Sequence, residues 1–181
     1  RKRYISGSPQ WTEGRALQKL GRGDPGSPVS LTVRRGNAEN TCKVTRSDRR
    51  IPWRQLRVDD RPNTVDTLRA GVRYVDLTRA VWPTLRQHIG ELADADRVVF
   101  DLRGYPTGGA LKLLPHLSGD TLRSARFQKP QFIYPDQEKI VGYDASGRWT
   151  LPPEKPQITG DVVFLTGPGA ISYAESIMGI V

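Results

Sequence analysis

GDVVFLTGPGAISYAESIMGIV, residues 160–181, reads as three pieces. Asp161–Thr166 is short and nearly all apolar, rich in Val and Phe, which suits a buried strand. Gly167-Pro168-Gly169 breaks that run with a turn. From Tyr173 the pattern becomes helical, with Ala174, Ile177, Met178 and Val181 on one face. Ser172 falls where the helix should begin. A serine on a tight strand-to-helix turn presents its hydroxyl at the end of a sheet, and the first N–H groups of the helix point at whatever bonds to it. The same residues, Ser172-Tyr173-Ala174-Glu175, also spell S-x-x-E, a capping box in which serine and glutamate satisfy free N–H groups at a helix start. The motif by itself leaves both readings open.

Working upstream, Val72–Leu77 (VRYVDL) alternates like a strand, and Thr78–Leu92 has Val81, Leu85, Ile89 and Leu92 at helical spacing. Arg97–Leu102 (RVVFDL) is a second apolar strand. A strand, a helix and a strand at this separation predict a βαβ unit with parallel strands. Next come Arg103-Gly104-Tyr105-Pro106-Thr107-Gly108-Gly109 and a helical run, Ala110–Leu117. A glycine pair between strand and helix lets backbone N–H groups approach an anion or a developing oxyanion, or simply makes a tight turn. Phosphate-loop and dinucleotide fingerprints do not fit it. In a parallel sheet this turn and the Gly167 turn both lie at the carboxyl edge, where sites are built. Between them, 121–156 is rich in Pro, Gly, Tyr and Trp. It reads as an insertion forming a wall over a site, with a strand at Arg123–Gln128 and a hairpin over Ile140–Leu151 around Asp144–Gly147.

The first 47 residues form a separate compositional unit. Thr12–Leu20 predicts a short helix with Thr12 as its cap and Ala16, Leu17 and Leu20 inward. Pro28–Arg34 alternates as a half-buried strand, Gly36-Asn37 marks a hairpin, and Thr41–Thr45 is the returning strand. Such a unit has a thin core. Residues 48–71 carry many charges and two prolines, Pro52 and Pro62, without periodicity, and read as a linker, with Trp53 and Leu56 candidates to pin it to a surface.

The 181 residues suffice for one good-sized domain or two small ones, and no apolar run approaches a membrane span. The net charge of +9 admits nucleic acid, an anionic surface or acidic peptides as partners. The basic residues are scattered, however, with clusters at Arg1-Lys2-Arg3, Arg34-Arg35 and Arg46–Arg50, and no aromatics interleave them as a base-stacking platform needs. A solvated basic surface is the favoured reading, with no specific nucleic-acid partner expected. Cys42 is the only cysteine, so an intrachain disulfide is impossible, and no metal spacing exists. Cys42 is expected buried or half-buried in its strand. His88 and His116 fall in helical patterns and read as surface or satisfied core residues. No cofactor is implied.

Taken in order, Ala16–Leu20 followed by Gly26-Ser27-Pro28-Val29-Ser30-Leu31-Thr32-Val33-Arg34-Arg35 resembles the closing half of a PDZ domain. Gly71-Val72-Arg73-Tyr74-Val75-Asp76-Leu77, then Val99-Phe100-Asp101-Leu102-Arg103 leading to Gly108-Gly109, then Ser172-Tyr173-Ala174-Glu175 resemble the tail-specific, or C-terminal processing, serine proteases. The resemblance implies an α/β fold, with βαβ units and a mostly parallel sheet in a ClpP/crotonase-like protease core. By this reading 1–47 is a partial PDZ-like domain, 48–71 a linker and 72–181 an incomplete protease core. It implies Ser172 as nucleophile, with the Tyr173 N–H and that of Gly108 or Gly109 as oxyanion hole. Glu175 is a supporting acid, and Asp101 and Arg103 are a scaffold fixing the turn. The chain departs from the family pattern at Tyr105, where Asn is usual, at Thr107, which is extra, and at Tyr173, where Ala is usual. The expected function is a serine endopeptidase cutting polypeptides near their C-termini through an acyl-enzyme. One branch of the family takes a lysine beyond the nucleophile as base. His88 and His116 match no histidine of the other, tricorn-like branch. The 181 residues alone are therefore expected to be inactive, with the base in adjoining sequence. The family resemblance also implies an extracytoplasmic location, periplasmic, secreted or envelope-associated. The alternatives are a non-catalytic peptide-binding module of the same fold and a basic binder of nucleic acid or anionic surfaces.

Overall fold

The computed structural model describes residues 8–48, 60–133 and 138–181. Trp53, Leu56 and the Arg1-Lys2-Arg3 cluster lie outside them. The chain forms two compact units, Arg1–Arg61 and Pro62–Val181.

In the first unit helix α1 (Pro9–Lys19) begins before Thr12, because Ser8 is the cap: its Oγ accepts the Trp11 N–H at 3.1 Å. Pro9 follows in the first turn, where its missing N–H would be unpaired anyway. Strand β1 (Pro28–Arg35) pairs antiparallel with β2 (Ala38–Thr45), placing Leu31 opposite Cys42. Gly36, at φ 62°, supplies the positive φ that a two-residue hairpin turn needs. Two strands and one helix cover little surface. Leu17 and Leu20, expected inward, are exposed, and so is Cys42, contrary to the buried thiol expected from its strand. The native protein is accordingly expected to react with a maleimide at Cys42 about as fast as the unfolded chain, measured by mass spectrometry.

The second unit begins with β3 (Val65–Arg69) and β4 (Val72–Asp76), an antiparallel pair. The end of the segment expected as an irregular linker is therefore a sheet strand. Helix α2 (Trp82–Ala93) starts later than Thr78. The reason is local: the Asp76 carboxylate accepts the Thr78 N–H at 2.8 Å and its hydroxyl at 2.6 Å, and pairs with Arg79 Nε at 2.7 Å. Those bonds hold 76–79 in a turn, and the helix begins where Pro83 fits its first turn. After β5 (Arg97–Leu102) and a loop come α3 (Gly109–Leu113) and a 3₁₀ turn, Leu114–Leu117.

The hairpin expected within Ile140–Leu151 does not form. Instead β6 (Leu122–Arg123) pairs with β9 (Thr150–Leu151), and β7 (Phe127–Phe132) pairs with β8 (Ile140–Ser146). Asp144–Ser146, expected as the turn, continue strand β8, and the chain passes from one small sheet to the other over 147–149. The expected strand over Arg123–Gln128 is likewise divided between β6 and β7. Local turn chemistry marks a reversal without fixing the partner strand.

Strand β10 (Asp161–Thr166) and helix α4 (Tyr173–Met178) close the unit. The main sheet runs β10-β5-β4-β3, with β10, β5 and β4 parallel and β3 antiparallel at the edge. The fold is thus mixed α/β, with one four-stranded mixed sheet and smaller two-stranded ones. Val75, Leu77, Leu85, Phe100, Leu113 and Ile177 are among the fully buried side chains of one core. Phe164 of β10 meets Phe100 at 5.1 Å between ring centroids. β10, expected fully buried, is an edge strand among the described residues, with Val163 about half exposed (52%).

Candidate active site

The carboxyl end of β5 carries a fully buried carboxylate. Asp101 Oδ2 accepts the Tyr74 hydroxyl at 2.6 Å, and Oδ1 accepts the Arg103 N–H at 3.0 Å. The Arg103 guanidinium closes back on both carboxylate oxygens. Burial pushes the Asp101 carboxyl up, but the bonds from Arg103 and Tyr74 and the guanidinium charge outweigh it. The group stays below its ordinary range. Burial and the bond to Asp101 push the Tyr74 phenol upward, so it stays a donor. Asp101 and Arg103 are thus joined by an ion pair as well as hydrogen bonds. In the sequence Tyr74 stands within the strand motif without a role of its own. Its signal was a phenol within an apolar strand, where the hydroxyl needs a buried acceptor.

The loop after Arg103 is tied to the segment following β4. The Thr107 N–H donates to the Leu77 carbonyl at 2.9 Å, and its hydroxyl donates to the Ala80 carbonyl. That hydroxyl also accepts the Gly109 N–H at 3.2 Å. Gly109 is fully enclosed: a Cβ there would meet the Trp82 nitrogen at 2.8 Å and the Ala80 oxygen at 3.0 Å. Gly108 is exposed, and among the described residues its N–H makes no hydrogen bond.

At the end of β10, Gly167 and Gly169 pack on the β5 turn. A Cβ on Gly167 would come 3.2 Å from the Arg103 carbonyl oxygen, and one on Gly169 would come 3.1 Å from it and 3.2 Å from Gly104 Cα. A side chain at either position would force the Arg103 and Gly104 backbone back by a few tenths of an ångström. The Ala170 N–H returns to the Gly167 carbonyl at 2.9 Å and tightens the turn.

Ser172 follows, with φ 56° and ψ −105°. It is the one non-glycine residue with positive φ among the described residues. An L-residue in this region is strained by about 1–3 kcal/mol. Its N–H donates to Glu175 Oε2 at 2.6 Å, the firm half of a capping box. The other half is looser: Oγ lies in box position toward the Glu175 N–H without a full cap hydrogen bond. Ser172 is exposed, and the Tyr173 N–H makes no hydrogen bond among the described residues.

Aromatic rings bridge the turns. Tyr173 lies 6.1 Å from Tyr105 and meets Trp149 edge-on at 5.6 Å, and Trp149 meets Phe127 at 5.3 Å. Burial pushes the Tyr173 phenol up, against a hydrogen bond from the backbone of Leu111 in α3. The 121–156 region thus reaches the neighbourhood of Ser172 through Trp149, whose position the sequence did not single out.

Clefts open elsewhere. One of about 490 Å³ is lined by Trp82, Arg86, Lys112 and His116 among others, and one of about 430 Å³ lies beside Gly119 and Ile158; neither includes Ser172. Backbone geometry, not concavity, marks the site. His116 is buried, with Nδ1 2.9 Å from the Pro156 carbonyl oxygen, and so satisfies the core reading at that nitrogen. Among the described residues no side chain hydrogen-bonds the Ser172 hydroxyl as a base would, and no cluster of His, Cys, Asp and Glu could hold a metal.

No protein-family model matches the sequence, and no curated protein matches it.

Proposed function

We propose that the second unit is the catalytic part of a serine endopeptidase of the tail-specific type, with a ClpP/crotonase-like core. The observation that carries this reading is Ser172: a strained serine on a glycine turn, at the carboxyl end of a parallel strand and packed on the adjoining strand's turn. A helix cap needs no such strain, whereas a nucleophile on a sharp turn does. In this reading Ser172 Oγ attacks the scissile carbonyl and gives its proton to a base supplied by adjoining polypeptide. The tetrahedral oxyanion rests on the Tyr173 N–H and a glycine N–H of the β5 loop. The amine leaves with a proton, and water hydrolyses the acyl-enzyme. The first unit is read as the closing part of a PDZ-like domain, and the location as extracytoplasmic.

The test is labelling by a fluorophosphonate probe, together with cleavage of unfolded polypeptide. Both are run on the natural polypeptide containing these residues and on the 181 residues alone. Labelling of the longer form, lost in Ser172→Ala, is the expected result, with silence from the short form. The bond from the Ser172 N–H to Glu175 favours a second reading, a non-catalytic peptide-binding relative. Absence of both labelling and cleavage in a folded longer form would select it.

A further inference from the structure

We infer that Thr107 is a positioning residue of the candidate oxyanion hole, and that it leaves Gly108 rather than Gly109 to supply the loop's N–H. The inference rests on Ser172 as nucleophile. It concerns the one residue by which this loop is longer than the family pattern.

A hydroxyl has one proton and two lone pairs. The Ala80 carbonyl can only accept, so the Thr107 proton goes there. The lone pairs then take the Gly109 N–H at 3.2 Å. That N–H is committed within the protein. Gly109 cannot swing free, because Trp82 and Ala80 close on the face where a Cβ would stand. The Thr107 backbone is held as well, its N–H on the Leu77 carbonyl at 2.9 Å and its carbonyl on the Ala110 N–H at 3.2 Å. One threonine thereby fastens the loop at both ends of its own peptide and through its side chain. Gly108 sits between that anchor and the buried Gly109, exposed, with φ −60° and an N–H unbonded among the described residues. Fixing this donor in advance removes reorganisation from the reaction step, which lowers the barrier more than it tightens substrate binding.

The experiment measures kcat and KM for peptide cleavage by the natural polypeptide. Gly108→Pro is compatible with the observed φ and removes the unbonded N–H. It is expected to lower kcat about a hundredfold at nearly constant KM. Thr107→Val keeps the volume and removes the hydroxyl, and is expected to lower kcat about tenfold. Thr107→Ser should return it to within about threefold of the wild type. Undiminished kcat in Gly108→Pro, or equal kcat in Thr107→Val and Thr107→Ser, overturns the inference while Ser172-dependent turnover stands. If Thr107→Val does not fold, Gly108→Pro decides. Absence of Ser172-dependent turnover in the wild type removes the parent reading and this inference with it.

Discussion

Ser172→Gly is expected to abolish labelling and cleavage and yet to leave the protein more stable than the wild type. The φ of 56° and ψ of −105° are strained for serine and open to glycine. Relief of that strain contributes about 1–3 kcal/mol. Against it stand about 0.4–1 kcal/mol for the freer unfolded chain and a few tenths for the altered cap. The net gain is about 1 kcal/mol, read as a higher denaturation midpoint at unchanged slope. Ser172→Ala keeps the Cβ, hence the strain, and should fall below the glycine variant. The order between glycine and wild type tests the strain itself, which the backbone carries whether Ser172 acts as a cap or as a nucleophile. A glycine variant less stable than the wild type would show that no strain is stored at Ser172, and would remove the main support for the nucleophile.

Asp101→Ala is the second large effect. It leaves the buried Tyr74 hydroxyl without its acceptor and opens a space beside it. It also releases Arg103, which is half exposed and can turn to solvent. An unsatisfied buried hydroxyl costs about 1–3 kcal/mol, and loss of the charge-assisted bonds adds to it. A total of about 3–4 kcal/mol is expected in urea unfolding. Asp101 also shapes the acid limb. Its folded carboxyl is held below its ordinary value of 3.8, so near that value the unfolded chain binds more protons than the folded one. The associated stability is present above the ordinary value and disappears as pH falls through the lower, folded one. Asp101→Asn should flatten stability against pH in that window. An unchanged acid limb would mean that other carboxylates govern it. Because Gly167 and Gly169 rest on Arg103 and Gly104, loss of this anchor should also slow probe labelling of Ser172.

Much of this was legible in the chain. Arg97–Leu102 and Asp161–Thr166 announced themselves as strands because short runs of β-branched and aromatic residues suit a parallel sheet. That holds at its centre, where Arg97–Leu102 lies, and at its edge among the described residues, where Asp161–Thr166 lies. The S-x-x-E box gave the start of α4 and the bond from the Ser172 N–H to Glu175. Helix α2 starts later than periodicity places it, because Asp76 captures Thr78 and Arg79. The partners of β8 and β9 were misplaced for a similar reason. Asp, Ser and Gly at 144–147 suggest a reversal, yet Asp144–Ser146 continue β8, because pairing across longer separations depends on which edge is free. The exposure of Cys42 escaped because alternation identifies a face of a strand, not whether anything covers it.

By itself the sequence determined the strand–helix–strand order from Val72 to Leu102, the strand and helix after Gly160 and the glycines at both turns, since these follow from neighbours a few residues apart. It could not determine the conformation of Ser172, the commitment of the Gly109 N–H to Thr107, or the burial of Asp101 under Tyr74 and Arg103. Each of those joins residues that are brought together when strands pair and turns pack. An unfavourable φ or a buried carboxylate persists only where the surrounding contacts hold it, and those contacts exist only in the folded chain.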